Sequence, residues 1–368
     1  MKSKTVVIIG GGTGGHITPG IALYEELREQ NIRALFLTGV KDARFSSLAS
    51  VDPMDLLQYS APKVTKNPLK IPFFAAAFFV AYKKARKLYR EYEVDAVIGM
   101  GGYTSAPALL AAMRSDIPLY LCEQNTVPGR VTRLFEKKSR RIFVTFEESR
   151  EYLKMKDLMV HAGNPIRKDL LARVGKEEAK KAFHLEHSGS IIFAIGGSQG
   201  ALKINELILG LKKKFSGQFK NVGIIWSTGD YSYAAYKDKV QNELEGGSIY
   251  LSPFIARVGL AYRACDIAIS RSGAGVMMEL AAMGLPSIQI PFPHAAMNHQ
   301  DKNADAFVKG GAALKIANED ATPEKVAPLL FDLLGNPRAL KKMSERAYAM
   351  AKIDASAIIA GHIIKDLG

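Results

Sequence analysis

An apolar, β-branched run that breaks abruptly into glycine and then into a helix-forming segment occurs twice: "TVVIIGGGTGG" begins at Thr5, and "SIIFAIGGSQGA" spans Ser190 to Ala201. No other feature restricts the fold as much. A strand that passes through glycine directly into a helix belongs to a parallel sheet, because parallel strands need crossover helices to return the chain. Two more junctions follow the same rule, "VDAVIGMGGYTSAP" (Val94 to Pro107) and "CDIAISRSGAG" (Cys265 to Gly275). Each is followed by a helical segment and then by a strand with proline near its start, "DIPLYLCEQN" in one half and "GLPSIQIPFPH" in the other. At 368 residues the chain is long enough for two domains. The expectation is an α/β protein of two Rossmann-like, doubly wound domains facing a cleft. The seam is placed at "HAGNPIRKDL", where Gly163, Asn164 and Pro165 interrupt regular structure, giving domains of 1–162 and 163–342.

Glycine at such junctions lets backbone N–H groups approach an anion at the positive end of the following helix. Gly10, Gly12 and Gly15 satisfy the G-x-G-x-x-G spacing of dinucleotide folds. That reading also requires an acidic residue at the end of the second strand to hold a ribose. Here the strand is "RALFLTGV", and the first carboxylate after it is Asp42, beyond a glycine. A Walker loop is excluded as well, since no G-K-[ST] follows any of these glycines. Ligands of open parallel sheets bind outside the carboxyl ends of the strands. Four glycine loops facing one cleft suit two substrates, each carrying phosphate.

His16 lies just inside the first loop, where a helix N-terminus favours the neutral imidazole. It is placed to take a proton from an acceptor hydroxyl, or simply to cap the helix. Glu279 is the only Asp, Glu, Lys or Arg between Ser272 and Gln300, in the apolar run "GVMMELAAMG". A lone carboxylate there suits a ribose diol, the alternative being a partner for the helix dipole. "PFPHAAMNHQDKN" gathers His294, Asn298, His299, Gln300 and Asn303, groups that suit sugar hydroxyls. These histidines lack a carboxylate or cysteine at ligand spacing, so no protein-bound metal and no cofactor are expected. With no D-x-D in the chain, a diphosphate leaving group would be neutralised by helix N-termini and a basic residue.

The net charge of +14 calls for an acidic partner. From Leu56 to Arg90 there is no Asp or Glu, while Lys63, Lys66, Lys70, Lys83, Lys84, Arg86, Lys87 and Arg90 bracket "IPFFAAAFFVAY". A second basic cluster runs from Arg130 to Arg141. Basic residues around Phe73, Phe74, Phe78 and Phe79 match a surface that lies on anionic lipid, the alternative being a core helix with solvated flanks. The apolar run has 12 residues where a spanning helix needs roughly 20, so a membrane crossing is not expected. No nucleic-acid motif is present, and no nucleic-acid partner is expected. The N-terminal apolar run stops at glycine and reads as a first strand, not a signal peptide. Cys122 and Cys265 sit in apolar runs and read as buried thiols in a reducing compartment.

Taken together, "GGGTGGHITPG", "GMGGYTSAP", "EQNTVPGR", "GNPIR", "GGSQGA" and "SRSGAGVMMELAAMGLPSIQIPFPHAAMNHQ" closely resemble the MurG family. The resemblance runs from residue 10 to about 303. It implies a glycosyltransferase B fold and inverting transfer of GlcNAc from UDP-GlcNAc to the 4-hydroxyl of MurNAc in lipid I. The product would be lipid II, for peptidoglycan synthesis at the inner face of the cytoplasmic membrane. The second domain would hold the donor, and the first would face the membrane and the lipid-linked acceptor. A last helix, about 343–368, would pack back on the first domain.

By motif, Thr13, Gly14 and Gly15 would sit at the sugar end of the donor with His16 as base, and Asn125 would contact the donor sugar. Gly101, Gly102, Tyr103 and Thr104 would meet the acceptor pyrophosphate. Arg167 and Ser198 would hold the donor diphosphate, and the helix starting Ala274, Gly275, Val276, Met277, Met278 would add backbone donors. Glu279 would take the ribose hydroxyls, Gln300 the GlcNAc hydroxyls and Ile255 the uracil. Two positions depart from the family pattern: Ala256, Arg257 and Val258 replace a segment that usually carries an acid and a methionine, and Thr18 stands where an aromatic residue is common. A related transferase acting on diacylglycerol and a non-catalytic UDP-sugar-binding or nucleic-acid-binding protein are the competing readings. "EQN" and "GGYTSAP" argue against the former, and the joint presence of His16, Arg167, Glu279 and Gln300 argues against the latter.

Overall fold

The computed structural model describes residues 4–368 apart from 63, 64, 66, 173, 198, 199 and 244–247; at 44, 46, 68, 242 and 243 it describes the backbone alone. The chain divides into two units, Met1–Arg167 with Lys352–Gly368, and Lys168–Ala351.

The first unit is built on strands β1 (Thr5–Ile9), β2 (Arg33–Gly39), β3 (Leu56–Tyr59), β4 (Ala96–Gly99), β5 (Leu119–Glu123), β6 (Arg141–Val144) and β7 (Met159–His161). They pair in parallel in the order β3-β2-β1-β4-β5-β6-β7. Its crossover helices are α1 (Gly14–Glu29), α2 (Ile71–Glu91), α3 (Ala106–Met113) and α4 (Arg130–Phe135). Every residue of β1 is buried, because helices cover both faces of the sheet and alternate side chains both meet apolar partners. Val6, Ile8, Phe36 and Ile98 pack with Ile17 and Ile21 of α1 on one face. On the other face, Val7, Ile9, Leu35 and Val97 pack with Ala81 and Ala85 of α2 and Leu109 of α3.

In the second unit β8 (Ser190–Ile195), β9 (Val222–Ser227), β10 (Ile249–Ser252), β11 (Ile267–Ser270), β12 (Ser287–Gln289) and β13 (Ala313–Lys315) form a parallel sheet, β10-β9-β8-β11-β12-β13. Its helices are α5 (Lys176–Lys181), α6 (Leu202–Lys214), α7 (Asp230–Glu243), α8 (Val258–Ala264), α9 (Ala274–Ala282), α10 (His299–Lys309), α11 (Pro323–Leu334) and α12 (Pro337–Met350). Counted within its own unit, each sheet has the Rossmann order 3-2-1-4-5-6, the first with one strand added at its edge. The strand order therefore reverses between β1 and β4, and between β8 and β11. All four glycine loops leave these strands at their carboxyl ends.

The boundaries differ from those expected at 162/163 and about 343. The first unit runs through Arg167, and the return begins at Lys352. Residues 337–350 form α12, which packs on α9 and so belongs to the second unit. Only α13 (Ala355–Leu367) returns, laying Ile359, Ala360 and Ile363 against the α1 face of the first sheet. Arg141 fixes it with a bidentate pair to Asp366, at 2.7 and 2.6 Å. Lys352 Nζ donates to the His161 carbonyl at 2.7 Å. The stretch Pro337–Leu367 reaches a mean hydropathy of 1.2 over 18 residues, but α12 and α13 are separated by non-helical residues 351–354.

α2 is not a core helix along its whole length. Only Ala81, Ala85 and Tyr89, one stripe at i, i+4, i+8, are buried. Its first half is left uncovered, with Phe73 77% and Val80 64% exposed and Leu69 just ahead of it at 82%. Lys63 and Lys66 of the basic run lie outside the described residues.

Candidate active site

In the first unit the loop after β1 and the loop after β4 meet around His16. The His16 ring lies against the glycine backbone: a Cβ on Gly101 would stand 3.2 Å from Nε2, and one on Gly102 3.1 Å from Nδ1. Both glycines have positive φ, +94° and +77°, so both conformation and space exclude side chains here. Thr13 Oγ1 is 3.0 Å from His16 Nδ1. Thr13 and Gly15 are exposed, and Gly14 and His16 are half-buried. Tyr103 is half-buried with its ring over Gly12, whereas Thr104 is buried behind Gly11 and forms the wall of the loop.

Asp42, which sequence reasoning set aside, organises this loop. Its Oδ2 accepts from the backbone N–H of Gly12 (3.0 Å), from that of Gly39 (3.1 Å) and from Thr38 Oγ1 (3.1 Å). The carboxylate is buried and turned onto the glycine loop, which is why it cannot serve a ribose.

The "EQN" segment shows a similar division of labour. Glu123 is buried, and its carboxylate accepts from Asn125 N (3.0 Å), Gly129 N (2.8 Å) and Thr132 Oγ1 (2.6 Å). Burial raises its pKa while these donors oppose the rise. Glu123 thus shapes the loop that presents Asn125, which is half-buried. Arg167, half-buried, is the last residue of the first unit before the return.

The second unit contains a cavity of about 600 Å³ between its two glycine loops. Gly200, Ala201, Leu202 and Lys203 line it from the start of α6, and Gly273 and Val276 from the start of α9. Neither helix has a side-chain cap or an acidic residue in its first turn. Their first N–H groups therefore have no partner of their own in the helix ladder and carry its positive end. Gly200 must be glycine, since with φ +76° its Cβ would fall 2.1 Å from the Thr228 carbonyl oxygen. Ser198 lies outside the described residues.

Arg271, not singled out from sequence, also lines this cavity. Its Nη1 donates to the carbonyls of Ile290 (3.0 Å) and Pro291 (3.1 Å) and to Asn318 Oδ1 (2.8 Å), and its guanidinium lies 5.5 Å from the Phe292 ring centroid. Among the described residues no carboxylate pairs with it, and burial lowers its pKa. A partly desolvated cation in a cavity lined by two helix N-termini suits an anion, with Glu206 of α6 the one carboxylate among the lining residues. The available signal was its place at the end of a buried strand, directly before the glycine loop.

Gln300 and His294 line the same cavity, and Gln300 Oε1 accepts from Phe292 N at 2.9 Å. Asn303 is not a sugar group: it is fully buried and donates from Nδ2 to the Ser272 carbonyl at 3.1 Å. The side chains of Ala274, Met277 and Met278 are buried, and Met277 N is committed to the Gly273 carbonyl. Backbone donors of α9 are thus limited to its first turn, where Gly275 faces open space. Glu279, half-buried in the second turn, accepts a 2.6 Å hydrogen bond from Tyr262 Oη. Ile255 is buried, between exposed Phe254 and Ala256.

Residues 6–144 match the glycosyltransferase family 28 N-terminal domain, and residues 191–358 match its C-terminal domain. A UDP-N-acetylglucosamine--N-acetylmuramyl-(pentapeptide) pyrophosphoryl-undecaprenol N-acetylglucosamine transferase of Thermoanaerobacter sp. (strain X514) is 36% identical over 355 residues, 94% of this chain and 95% of the relative. The transferase of the same name from Geobacter sulfurreducens is 34% identical over 98% of both chains. The crystal structure of Acinetobacter baumannii MurG superposes with a TM-score of 0.74 at 25% identity, covering 98% of this chain and 99% of that one. The chain belongs to the MurG family of glycosyltransferases. A UDP-GlcNAc 2-epimerase of Neisseria meningitidis shares the fold at a TM-score of 0.70 and 15% identity, over 98% of this chain and 100% of that one. Ala256 and Arg257 are exposed beside buried Ile255, and Thr18 is half-buried in α1.

Proposed function

We propose that this chain transfers GlcNAc from UDP-GlcNAc to the 4-hydroxyl of MurNAc in lipid I, giving lipid II with inversion and releasing UDP. The observation that carries this reading is the second-unit cavity, where two uncapped helix N-termini and Arg271 converge in a chain of this family. The acceptor oxygen attacks C1 of the donor sugar as the C1–O bond to UDP breaks, and the hydroxyl proton passes to His16. With Nδ1 held by Thr13, Nε2 is the atom that takes it. Charge developing on the diphosphate is met by the first-turn N–H groups of α6 and α9, by Arg271 and, from the family motifs, by Arg167 and Ser198. Glu279 accepts from the ribose diol, Gln300 and Asn125 read the sugar, Ile255 meets the uracil, and Gly101 to Thr104 receive the acceptor pyrophosphate.

The exposed first half of α2, flanked by Lys70, Lys83, Lys84, Arg86, Lys87 and Arg90, supports docking on the anionic inner face of the cytoplasmic membrane. Reversing the charge of Lys83, Lys84, Arg86 and Lys87 should release the protein from anionic vesicles at low salt, each cation contributing about 1 kcal/mol. Unchanged vesicle sedimentation would remove the membrane role from α2.

The transferase reading is tested by following UDP release from UDP-GlcNAc with and without a short-chain lipid I analogue, in EDTA. Acceptor-dependent release that survives chelation is the expected result. Release lost on chelation would overturn the metal-independent account of the diphosphate. No release, with donor binding intact, would move the acceptor to another lipid such as diacylglycerol.

A further inference from the structure

Glu279 is held from behind by a residue not assigned to the site from the sequence. Tyr262 is carried on the short helix α8, and its ring is 2% exposed. That ring meets Phe193 of the central strand β8 edge-on, with centroids 5.3 Å apart and planes at 80°. Both rings are buried, so the phenol has little freedom to turn, and its hydroxyl is delivered to Glu279 Oε2 at 2.6 Å. A hydrogen bond this short to a carboxylate is charge-assisted and directional. A glutamate on a helix otherwise samples several rotamers about its side-chain torsions, most of which carry the carboxylate away from any one ligand.

We propose that Tyr262 is a positioning residue for nucleotide recognition: its buried hydroxyl fixes the Glu279 carboxylate in the orientation that accepts the two ribose hydroxyls of the donor. The inference rests on the assignment of Glu279 to the ribose. It adds that discrimination between ribose and 2′,3′-dideoxyribose depends on a phenol that touches no substrate. The hydroxyl can only donate to the carboxylate, so Glu279 stays an acceptor and a diol must approach it as a donor. Preorganisation of this kind is felt by a ligand that uses the carboxylate, and hardly at all by one that does not.

The experiment measures binding of UDP and of 2′,3′-dideoxy-UDP by calorimetry to the wild-type chain, Tyr262→Phe, Glu279→Ala and the double variant. Tyr262→Phe keeps the ring, its contact with Phe193 and the core volume, and removes the hydroxyl alone. The wild type should prefer UDP. Tyr262→Phe should lower that preference about three- to tenfold, with 2′,3′-dideoxy-UDP affinity changed less than about twofold. In the double variant the tyrosine effect should vanish, because the two residues act as one unit. If Tyr262→Phe weakens both nucleotides equally, or only lowers the melting temperature, the hydroxyl serves folding alone and the inference fails. If Glu279→Ala leaves the preference for UDP intact, the ribose assignment itself falls and takes the inference with it. The two failures are thereby distinguished.

Discussion

The two units share one strand order and place paired glycine loops at the same switch points, yet the loops after β1 and β8 treat an anion in opposite ways. In the first, the loop N–H of Gly12 is already occupied by the buried carboxylate of Asp42. A Cβ on Gly11 would stand 2.5 Å from that carboxylate. In the second, Gly197, Gly273 and Gly275 have nothing within 4 Å of where a Cβ would stand, and the cations Arg271 and Lys203 line the cavity beside them. The fold supplies a positive helix end in both places. At the loop after β1 it is answered internally, which leaves side-chain chemistry, His16 and Thr13, at the surface. The loop after β8 leaves it unanswered, as the proposed diphosphate site requires.

The largest expected effect follows from that assignment of chemistry to the first unit. His16→Ala should lower kcat by about two to four orders of magnitude, the usual range for a lost general base, with little change in donor KM. Steady-state kinetics with a soluble lipid I analogue would check it, and a kcat near wild type would return His16 to a structural role with Thr13.

The second unit is broken by giving it what the first already has. Gly273 is the N-cap of α9, with φ −72° and ψ 131°, and its Cβ direction is open. Gly273→Asp should therefore fit without strain and cap the helix, holding or slightly raising stability. The same carboxylate should oppose the donor diphosphate and weaken UDP-GlcNAc binding by about 100-fold, equivalent to about 2.7 kcal/mol. Unchanged donor affinity in the capped variant would place the diphosphate elsewhere.

The complementary change removes the internal anion from the first unit. Asp42→Asn keeps the shape of the side chain and one acceptor oxygen, but not the charge shared by Gly12, Gly39 and Thr38. A loss of about 1.5 kcal/mol of stability is expected, with UDP affinity preserved because the proposed donor cavity lies in the other unit. Denaturant titration and nucleotide calorimetry on the same preparation would separate the two outcomes.

These contrasts also mark what could be read in the sequence. The four junctions were legible because strand, glycine and helix are contiguous there, and local sequence alone dictates them. Glu279 stood out because a charge isolated in an apolar helix needs a reason. Asp42 and Tyr262 were opaque for the opposite cause: each acts on a residue 30 or 17 positions away, through a contact that exists only once the sheet is assembled. Asn303 misled because its amide looks the same whether it meets a sugar or the Ser272 carbonyl. The exposed half of α2 was ambiguous because an apolar run with basic flanks suits either a core or a lipid surface, and only its burial in the fold separates them.

The smallest expected effect concerns how the first unit is closed, for it alone recruits the end of the chain. The side chain of Asp366 is 8% exposed, and the hydrogen bonds from Arg141 hold its carboxyl below the ordinary carboxylate value. A folded-state pKa below the unfolded one means that the stabilisation is fully present above about pH 4 and is lost as pH falls through the lowered folded value. At neutral pH Asp366→Asn should therefore cost about 1 kcal/mol, since Arg141 remains partly in water. Near pH 2 the variant and the wild type should converge. Melting curves at the two pH values test this: a deficit of about 2–4 °C at pH 7 that closes on acidification ties α13 to the sheet through this pair. A deficit that persists in acid would mean that packing of Ile359, Ala360 and Ile363, not the ion pair, is what the substitution disturbs.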